Sequence, residues 1–364
     1  MNTIQTTYIN ALLADASYVT LSENGIVITN QAVLKTNLTA VLTQPQATYL
    51  LENFDILTQT LSPTGGFDAV VWRGKSTAGS DLADKVFVSM RGTQELQDFA
   101  DDGSLAARGI PYNQIRDMAN WWMRATAQAG DMVKQIKVDS VVTPWLTKYT
   151  FAADTSVAAT GELHGQVGQI AAVNGHSLGG YLATAFTRLF GKNAQEVNTF
   201  NSAGFSDAAG DNVKSEFDKV ETLLGTAALG MGSFEAAGNK QTNYRAGNGV
   251  SVTTNNWGEM PYWALGFNQY GDKVALYQEE GVGFSNHSMY KQTDLLALGV
   301  MLSKLDTSLA LDKLNTLIQA GSNDMKASYE SVLDAVRQLV SPTRITATQV
   351  GDVTINDNLW ECAA

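Results

Sequence analysis

One short segment constrains the fold of this chain more than any other feature of its sequence. Residues 172–180 read AVNGHSLGG, so the pattern G-x-S-x-G directly follows an apolar, strand-like run and directly precedes a helical one. A chain that passes from strand to helix in so few residues must turn sharply and strain the backbone of the central serine. Gly175 and Gly179 flank Ser177 because such a turn leaves no room for neighbouring side chains. The segment therefore predicts a nucleophilic serine, Ser177, at a strand–helix turn.

Strand-like and helix-like patterns alternate along the rest of the chain. Apolar strand-like runs cover residues 54–60, 67–72, 86–90, 169–174 and 197–200. Helical patterns cover residues 10–18, 44–54, 113–136 and 178–190, and three more cover residues 294–305, 311–320 and 324–339. This alternation predicts an α/β fold whose central sheet is mostly parallel and carries helices on both faces. We expect one domain over residues 1–300, with residues 301–364 as a C-terminal helical extension and tail packed on it.

Composition excludes several classes of protein. Of 364 residues, 44% are hydrophobic and 16% are charged, so the chain can bury a large core and is not disordered. Its formal net charge of −12 argues against nucleic acid as a partner. The longest apolar run, near residues 295–302, is far shorter than the ~20 residues that a membrane span needs. The single cysteine, Cys362, excludes an internal disulfide framework.

A second polar turn lies upstream of Ser177. Residues 85–93 read KVFVSMRGT, a strand that ends in a tight turn, and DFADD follows at residues 98–102. Acyl transfer at a serine needs two backbone N–H groups to stabilise the oxyanion, one of them from the residue after the serine. Leu178 is that residue, and it begins a helix, where the helix dipole also favours negative charge. The turn that follows residue 90 is placed to supply the second N–H group.

The two motifs together resemble those of a known family. The pair R-G-T…D-F-x-x-D and G-H-S-L-G-G is similar to the class 3 (fungal-type) lipases of the α/β-hydrolases, and most similar to their bacterial lipase and phospholipase branch. The resemblance covers residues 11–298. It implies an α/β-hydrolase fold, a Ser-His-acid mechanism, and an oxyanion hole formed by Thr93 and Leu178.

The sequence holds three histidines, His164, His176 and His287. His176 lies inside the turn, which directs its side chain away from Ser177, so a packing or hydrogen-bonding role is expected. His164 precedes the strand that leads to Ser177, which places it near the opposite edge of the sheet. Only His287 follows Ser177, as the Ser…acid…His order of α/β-hydrolases requires. The family's catalytic histidine has a comparable N-H-S-x-x-Y context, and His287 is therefore the predicted general base.

The acid of the triad is where the sequence departs from the family. Bacterial members often carry a G-D-P-V-S turn between the nucleophile and the histidine, whereas this chain reads YRAGNGVS at residues 244–251. Asn248 thus occupies the position of the expected aspartate. Asp207 follows the strand at residues 197–200 by a few residues and is the favoured replacement, with Asp272 as the next alternative.

The expected function is hydrolysis of carboxylic ester bonds in lipids, as in a triacylglycerol lipase. A phospholipase A1 or an acyltransferase would use the same residues. From another class, a catalytically weak lipid-binding pseudo-hydrolase is suggested by Asn248. The expected partners are a lipid ester and, transiently, a lipid interface.

No cofactor is expected, because no catalytic-metal or nucleotide motif is present. Structural calcium stays open, since its oxygen ligands leave no compact signature.

Residues 223–234 are apolar yet rich in glycine, a pattern that suits a mobile lid or an acyl-binding wall. The residues at the N-terminus lack the basic and apolar regions of a cleaved signal peptide. We expect an extracellular protein exported without such a signal, and otherwise a cytoplasmic one.

Overall fold

The computed structural model describes residues 1–61, 66–92, 109–142, 147–206, 213–247, 267–278, 285–322, 348–350 and 353–355. Its α-helices are α1 (Thr3–Asp15), α2 (Gln31–Leu38), α3 (Gln44–Asn53), α4 (Tyr112–Thr126), α5 (Leu178–Phe190), α6 (Val213–Leu224), α7 (Phe234–Gly238), α8 (Met289–Leu305) and α9 (Leu311–Ser322). Short 3-10 helices cover Ala16–Tyr18, Gly191–Asn193 and Ser285–His287. Its strands are β1 (Ser22–Glu23), β2 (Ile26–Val27), β3 (Phe54–Leu61), β4 (Asp68–Gly74), β5 (Val86–Met90), β6 (Met132–Val142), β7 (Thr147–Ala158), β8 (Ile170–His176), β9 (Ala194–Phe200), β10 (Phe205–Ser206), β11 (Gln241–Ala246), β12 (Phe267–Asn268), β13 (Asp272–Leu276), β14 (Thr348–Val350) and β15 (Val353–Ile355).

A seven-stranded sheet in the order β13-β11-β9-β8-β5-β4-β3 forms the centre of the fold. Strands β5, β8, β9, β11 and β13 are parallel, and β4 is antiparallel to both of its neighbours, β3 and β5. The predicted mostly parallel α/β sheet is therefore confirmed. The carboxyl ends of the parallel strands share one edge of the sheet, which we call the carboxyl edge. In open α/β sheets this is the edge where ligands bind.

Both faces of the sheet are covered by helices, as predicted. Alternate residues of β4 contact opposite cores: Val70 and Trp72 pack with residues of α1 and α8, whereas Ala69 and Val71 pack with residues of α4 and α5. Side chains of a strand alternate between the two faces, so a strand buried on both sides is apolar throughout. This is why the central strands were recognisable as short apolar runs.

The helix predicted over residues 113–136 is wrong in its second half. The helix α4 ends at Thr126, and Met132 begins β6, the first strand of a long antiparallel hairpin with β7. The helix ends where Ala127 takes an extended conformation, with ψ of +163°, and Gly130, with φ of +89°, lies in the turn between the two elements. Val133 and Ile136 are buried all the same. A spacing of three residues fits one face of a helix, whereas in β6 a register shift between Val133 and Gln135 interrupts the regular alternation of the strand. The sequence pattern therefore misled.

The C-terminal part of the described chain continues the same core. The predicted boundary after residue 300 falls inside α8, which extends to Leu305. Leu314 and Ile318 of α9 are buried in the core that α1 and α8 share. The helical pattern at residues 324–339 lies outside the described residues. None of the helices in the described ranges combines the length and the hydrophobicity that crossing a lipid bilayer requires.

The segment 223–234 is not placed as a lid over Ser177. The Met231 N–H donates to the carbonyl oxygen of Arg188 over 2.8 Å, and the Lys192 N–H donates to that of Leu229 over 2.9 Å. Both bonds join the segment to the carboxyl end of α5, whereas Ser177 precedes the amino end of that helix. The two ends of a helix of this length are roughly 18 Å apart. Leu224 and Phe234 of this segment are buried in the core, whereas Leu229 is 49% exposed.

Replacing the buried Asp15 with asparagine is expected to stabilise the protein. Burial at the end of α1 raises the pKa of the Asp15 carboxyl from 3.8 to about 8. Between these values the folded chain keeps a proton that the unfolded chain has lost, so stability falls as pH rises through this range. An amide does not titrate, and the gain from Asp15→Asn should grow from near zero at pH ~4 to about 2–4 kcal/mol at pH ~8. Urea unfolding at three pH values measures it, with the exposed Asp139→Asn as control; an equal gain at every pH would contradict the argument.

Candidate active site

Ser177 occupies the predicted turn at the carboxyl edge. Strand β8 ends at His176 and α5 begins at Leu178, so Ser177 alone connects them. Its φ of +57° and ψ of −126° lie in a region that side chains rarely adopt. Such strain persists only where the surrounding structure fixes it, and it is typical of functional residues. The Ser177 side chain is 8% exposed, so it lies just below the surface.

The two glycines of the motif are required by close backbone contacts. A Cβ atom on Gly175 would lie less than 3.0 Å from the carbonyl group of Gly179. A Cβ atom on Gly179 would in turn lie less than 3.0 Å from the backbone of Met90 and Arg91 at the end of β5. Any larger residue at these two positions would push α5 away from β8 or β5. The glycines thus bring the helix start, Ser177 and the end of β5 together.

The turn after β5 packs directly against Ser177. A Cβ atom on Gly92 would lie 3.0 Å from the Cβ atom of Ser177 and 2.9 Å from the carbonyl oxygen of His176. The Gly92 N–H donates to the Tyr18 hydroxyl over 3.3 Å. Leu178 is the first residue of α5, where N–H groups have no partner within the helix. Thr93, the other predicted oxyanion donor, lies outside the described residues.

His287 lies beside the turn, although it is far from it in sequence. The His176 Nε2–H donates to the backbone carbonyl oxygen of His287 over 2.8 Å, and the two imidazole rings are 4.9 Å apart. The structure thus brings His287 into contact with the residue immediately before Ser177. The His287 side chain is 4% exposed, and burial, followed by the charge of His176, lowers its pKa well below 6.5. Its buried Nδ1 atom has no hydrogen-bond partner among the described residues.

The other two histidines have different surroundings. The Nδ1 atom of His176 is 2.7 Å from the hydroxyl of Tyr18, and burial lowers the pKa of His176 to about 4. His176 therefore has the hydrogen-bonding role that the sequence predicted. His164 is exposed, and its Nδ1 atom lies 3.2 Å from the carbonyl oxygen of Thr126. It precedes the start of β8, at the edge opposite to Ser177.

Sequence reasoning missed Asn201, which holds the backbone of His287 in place. Asn201 follows β9 with a φ of +42°. Its Nδ2 group donates to the carbonyl oxygens of Asn286 and His287 over 3.1 and 2.9 Å, and its Oδ1 atom accepts from the Ala246 N–H over 2.9 Å. Asparagine tolerates positive φ better than most residues, but many asparagines in the sequence share that property. Only the folded structure singles out this one.

Two of the three candidate acids lie outside the described residues. These are Asp207, which follows β10, and Asn248, which follows β11 by two residues. Asp272 is described: it is exposed, begins β13 and pairs with Thr242 at the amino end of β11. The structure therefore places Asp272 at the edge opposite to Ser177 and does not bring it to His287. Within the described ranges, no three His, Cys, Asp or Glu side chains come together as a metal site would need.

Comparisons with known proteins add little to this geometry. No protein-family model matches the chain, and no curated protein does. The chain is similar to one solved structure, a deletion mutant of the Rhizomucor miehei lipase propeptide complex, with a TM-score of 0.31 and 16% sequence identity. The match covers 75% of this chain and 66% of the other, just under two thirds of its length. A TM-score this low does not establish a shared fold.

Proposed function

We propose that this chain is a serine hydrolase that cleaves carboxylic esters of lipids, with an α/β-hydrolase fold of the class 3 lipase type. The observation that carries the proposal is the position of Ser177, which is strained at a strand–helix turn with the buried His287 beside that turn. A merely structural serine gains nothing from positive φ. The strand order and the two covered faces of the sheet agree with this fold.

In the proposed reaction, Ser177 attacks the acyl carbonyl and His287 accepts its proton. His287 then protonates the leaving alcohol, and water hydrolyses the acyl-enzyme by the same steps in reverse order. The oxyanion is stabilised by the N–H groups of Leu178 and Thr93. Each such donor typically contributes about 3–4 kcal/mol of transition-state stabilisation.

Among the described residues, Nδ1 of His287 has no hydrogen-bond partner, which supports a third group in this site. A histidine base needs an acceptor at its second ring nitrogen to fix its tautomer and to stabilise the imidazolium. A buried polar atom without a partner is costly, so an acceptor is expected there. We propose that Asp207 provides it, with Asn248 as the alternative.

Two alternatives use the same residues or the same departure from the family. A phospholipase A1 or an acyltransferase would use the same Ser177 and His287 and would differ only in the acyl donor or acceptor. A lipid-binding pseudo-hydrolase is favoured by Asn248, because an asparagine at the acid position orients a histidine without supplying charge. Structural calcium and brief contact with a lipid interface are compatible with each of these.

A fluorophosphonate probe tests whether Ser177 is an activated nucleophile. We expect covalent labelling at neutral pH, mapped by peptide mass spectrometry to Ser177, because the probe reacts only with a serine whose proton a base removes. Ser303, a buried serine of α8 whose Oγ atom donates to a backbone carbonyl oxygen, provides the internal control and should stay unlabelled. A protein that the probe does not label favours the pseudo-hydrolase. Rates on triacylglycerols, phospholipids and nitrophenyl esters then identify the substrate class.

A further inference from the structure

Three hydrogen bonds connect the Gly92 turn to the His287 backbone through Tyr18 and His176. The Gly92 N–H lies 3.3 Å from the Tyr18 hydroxyl oxygen, which is 2.7 Å from Nδ1 of His176. The Nε2 atom of His176 is in turn 2.8 Å from the carbonyl oxygen of His287. Tyr18 and His176 also make an edge-to-face ring contact, with centroids 5.6 Å apart. We call this series of contacts the Tyr18 relay.

The direction of every donor in the Tyr18 relay follows from chemistry. The carbonyl oxygen of His287 can only accept, so Nε2 of His176 must carry a proton. Burial keeps the His176 ring neutral above pH ~4, so its Nδ1 atom has a lone pair and accepts. The Tyr18 hydroxyl therefore donates to Nδ1 of His176 and accepts from the Gly92 N–H. The three bonds point the same way, an arrangement in which each one polarises and strengthens the next.

The two ends of the Tyr18 relay are the backbone segments on which the proposed reaction depends. Gly92 packs on Ser177 and directly precedes Thr93 in the chain. The Gly92 N–H is bonded to Tyr18 and is therefore not available to an oxyanion. At the other end, the carbonyl group bonded by His176 belongs to His287 itself.

We propose that Tyr18 is a positioning residue for ester hydrolysis. Through His176, it fixes the turn at Gly92 relative to the backbone of His287. The inference rests on the proposed function, because it assigns Tyr18 a role in that same site. Tyr18 ends the 3-10 turn that follows α1, and α1 packs against β8. The position of Tyr18 is therefore set by α1, a helix that contains no other residue of the site. Nothing local in the sequence marks it, since Tyr18 and His176 are 158 positions apart in the chain.

The variant Tyr18→Phe removes one hydroxyl and leaves the ring. It unpairs the Gly92 N–H and the Nδ1 atom of His176 together, so both ends of the relay can shift. Displacements of about 1 Å in a catalytic site typically cost about 10- to 100-fold in rate. We expect kcat for p-nitrophenyl butyrate and the rate of fluorophosphonate labelling to fall by that factor, with KM changed by less than about twofold, because transition-state contacts and not substrate binding are lost.

Tyr8→Phe is the matched control. Tyr8 lies on α1, is buried, and its hydroxyl accepts a hydrogen bond from Gln46 over 3.1 Å, so the control loses a comparable bond remote from Ser177. A general loss of stability would affect both variants, whereas a positioning role affects kcat only in Tyr18→Phe. A Tyr18→Phe enzyme with the kcat of Tyr8→Phe overturns the inference and leaves the proposed function intact.

Nitrogen-15 NMR of the imidazole rings gives a readout that does not need activity. The chain has three histidines, so six ring nitrogens are to be assigned, with His176→Gln identifying one pair. We expect His176 as the neutral Nε2–H tautomer in the wild-type protein, and a changed Nδ1 resonance in Tyr18→Phe alone. A proton on Nδ1 of wild-type His176 overturns the relay. A wild-type protein that neither labels nor hydrolyses any ester overturns the proposed function, and the positioning role with it.

Discussion

Ser177→Ala is expected to abolish ester hydrolysis while leaving the thermal stability of the protein nearly unchanged. Removing the nucleophile of a serine hydrolase costs roughly 10⁶-fold in kcat, because no other group forms the acyl-enzyme. The hydroxyl contributes little to packing, since Ser177 lies just below the surface and follows β8 without capping α5 through its side chain. Alanine is also strained at this φ to a similar degree, so the backbone gains no relief. Steady-state rates and melting curves on the same preparations measure both quantities.

Ser303→Ala controls for the loss of a buried serine hydroxyl elsewhere. It removes a hydrogen bond to the carbonyl oxygen of Val300 within α8 and should keep wild-type activity. A Ser177→Ala protein that retains about one tenth of wild-type activity shows that another group is the nucleophile, since residual catalysis without the serine is far smaller. An inactive protein that has also lost its cooperative melting transition would call for the milder Ser177→Cys, which should acquire thiol labelling at position 177, mapped by peptide mass spectrometry apart from Cys362.

The sequence was sufficient for the elements that depend on local pattern. The limits of α5, Leu178–Phe190, and of β5, Val86–Met90, agree with the prediction because glycines and polar turns mark their ends. The hairpin of β6 and β7 was missed, since apolar residues at every third or fourth position predict a helix that continues past Thr126, where α4 ends. The spacing of apolar residues predicts which side chains are buried more reliably than it predicts whether they lie on a helix or a strand.

In the candidate site, too, the residues in local sequence motifs could be predicted and those that depend on distant contacts could not. Ser177 and His287 could be predicted as candidates because a turn motif and the order of residues along the chain are visible in the sequence. The hydrogen-bond partners of Tyr18 lie 74 and 158 positions away in the chain, and those of Asn201 lie 45 to 86 positions away. Neither residue has a local signature in the sequence. Asn201 receives its role from β9 and β11 ending side by side at the carboxyl edge. Such roles arise only once the sheet has brought the strand ends together.

The identity of the acid should be revealed by a pair of substitutions with opposite expectations. If Asp207 faces Nδ1 of His287, Asp207→Asn should lower kcat by orders of magnitude, whereas Asn248→Asp should change little. Aspartate-to-asparagine at the equivalent position of a serine protease lowers kcat by about 10⁴-fold, because the amide fixes the wrong tautomer. Asp272→Asn is the matched control, since this exposed aspartate lies at the opposite edge and should leave kcat unchanged.

The pH dependence of kcat/KM gives a second, independent test of which residue is the acid. Burial lowers the pKa of His287, and a carboxylate beside Nδ1 raises it again by stabilising the imidazolium. The acidic limb of kcat/KM follows the pKa of the base in the free enzyme. Removing the true acid must therefore move this limb to lower pH, and adding a carboxylate must move it to higher pH. On our assignment, Asp207→Asn shifts the limb downward and Asn248→Asp leaves it in place.

The opposite pattern has an equally definite meaning. If Asn248→Asp raises kcat by about 100-fold or more and moves the acidic limb upward, while Asp207→Asn changes neither, then residue 248 faces His287. The natural chain would then orient its base with an amide and lack the charge that stabilises the imidazolium. A slow enzyme or a lipid-binding protein would follow, in spite of a strained Ser177 and a buried His287. We expect Asp207 to supply the carboxylate, because glycines fitted this closely around Ser177 have a chemical use only when the base beside it works.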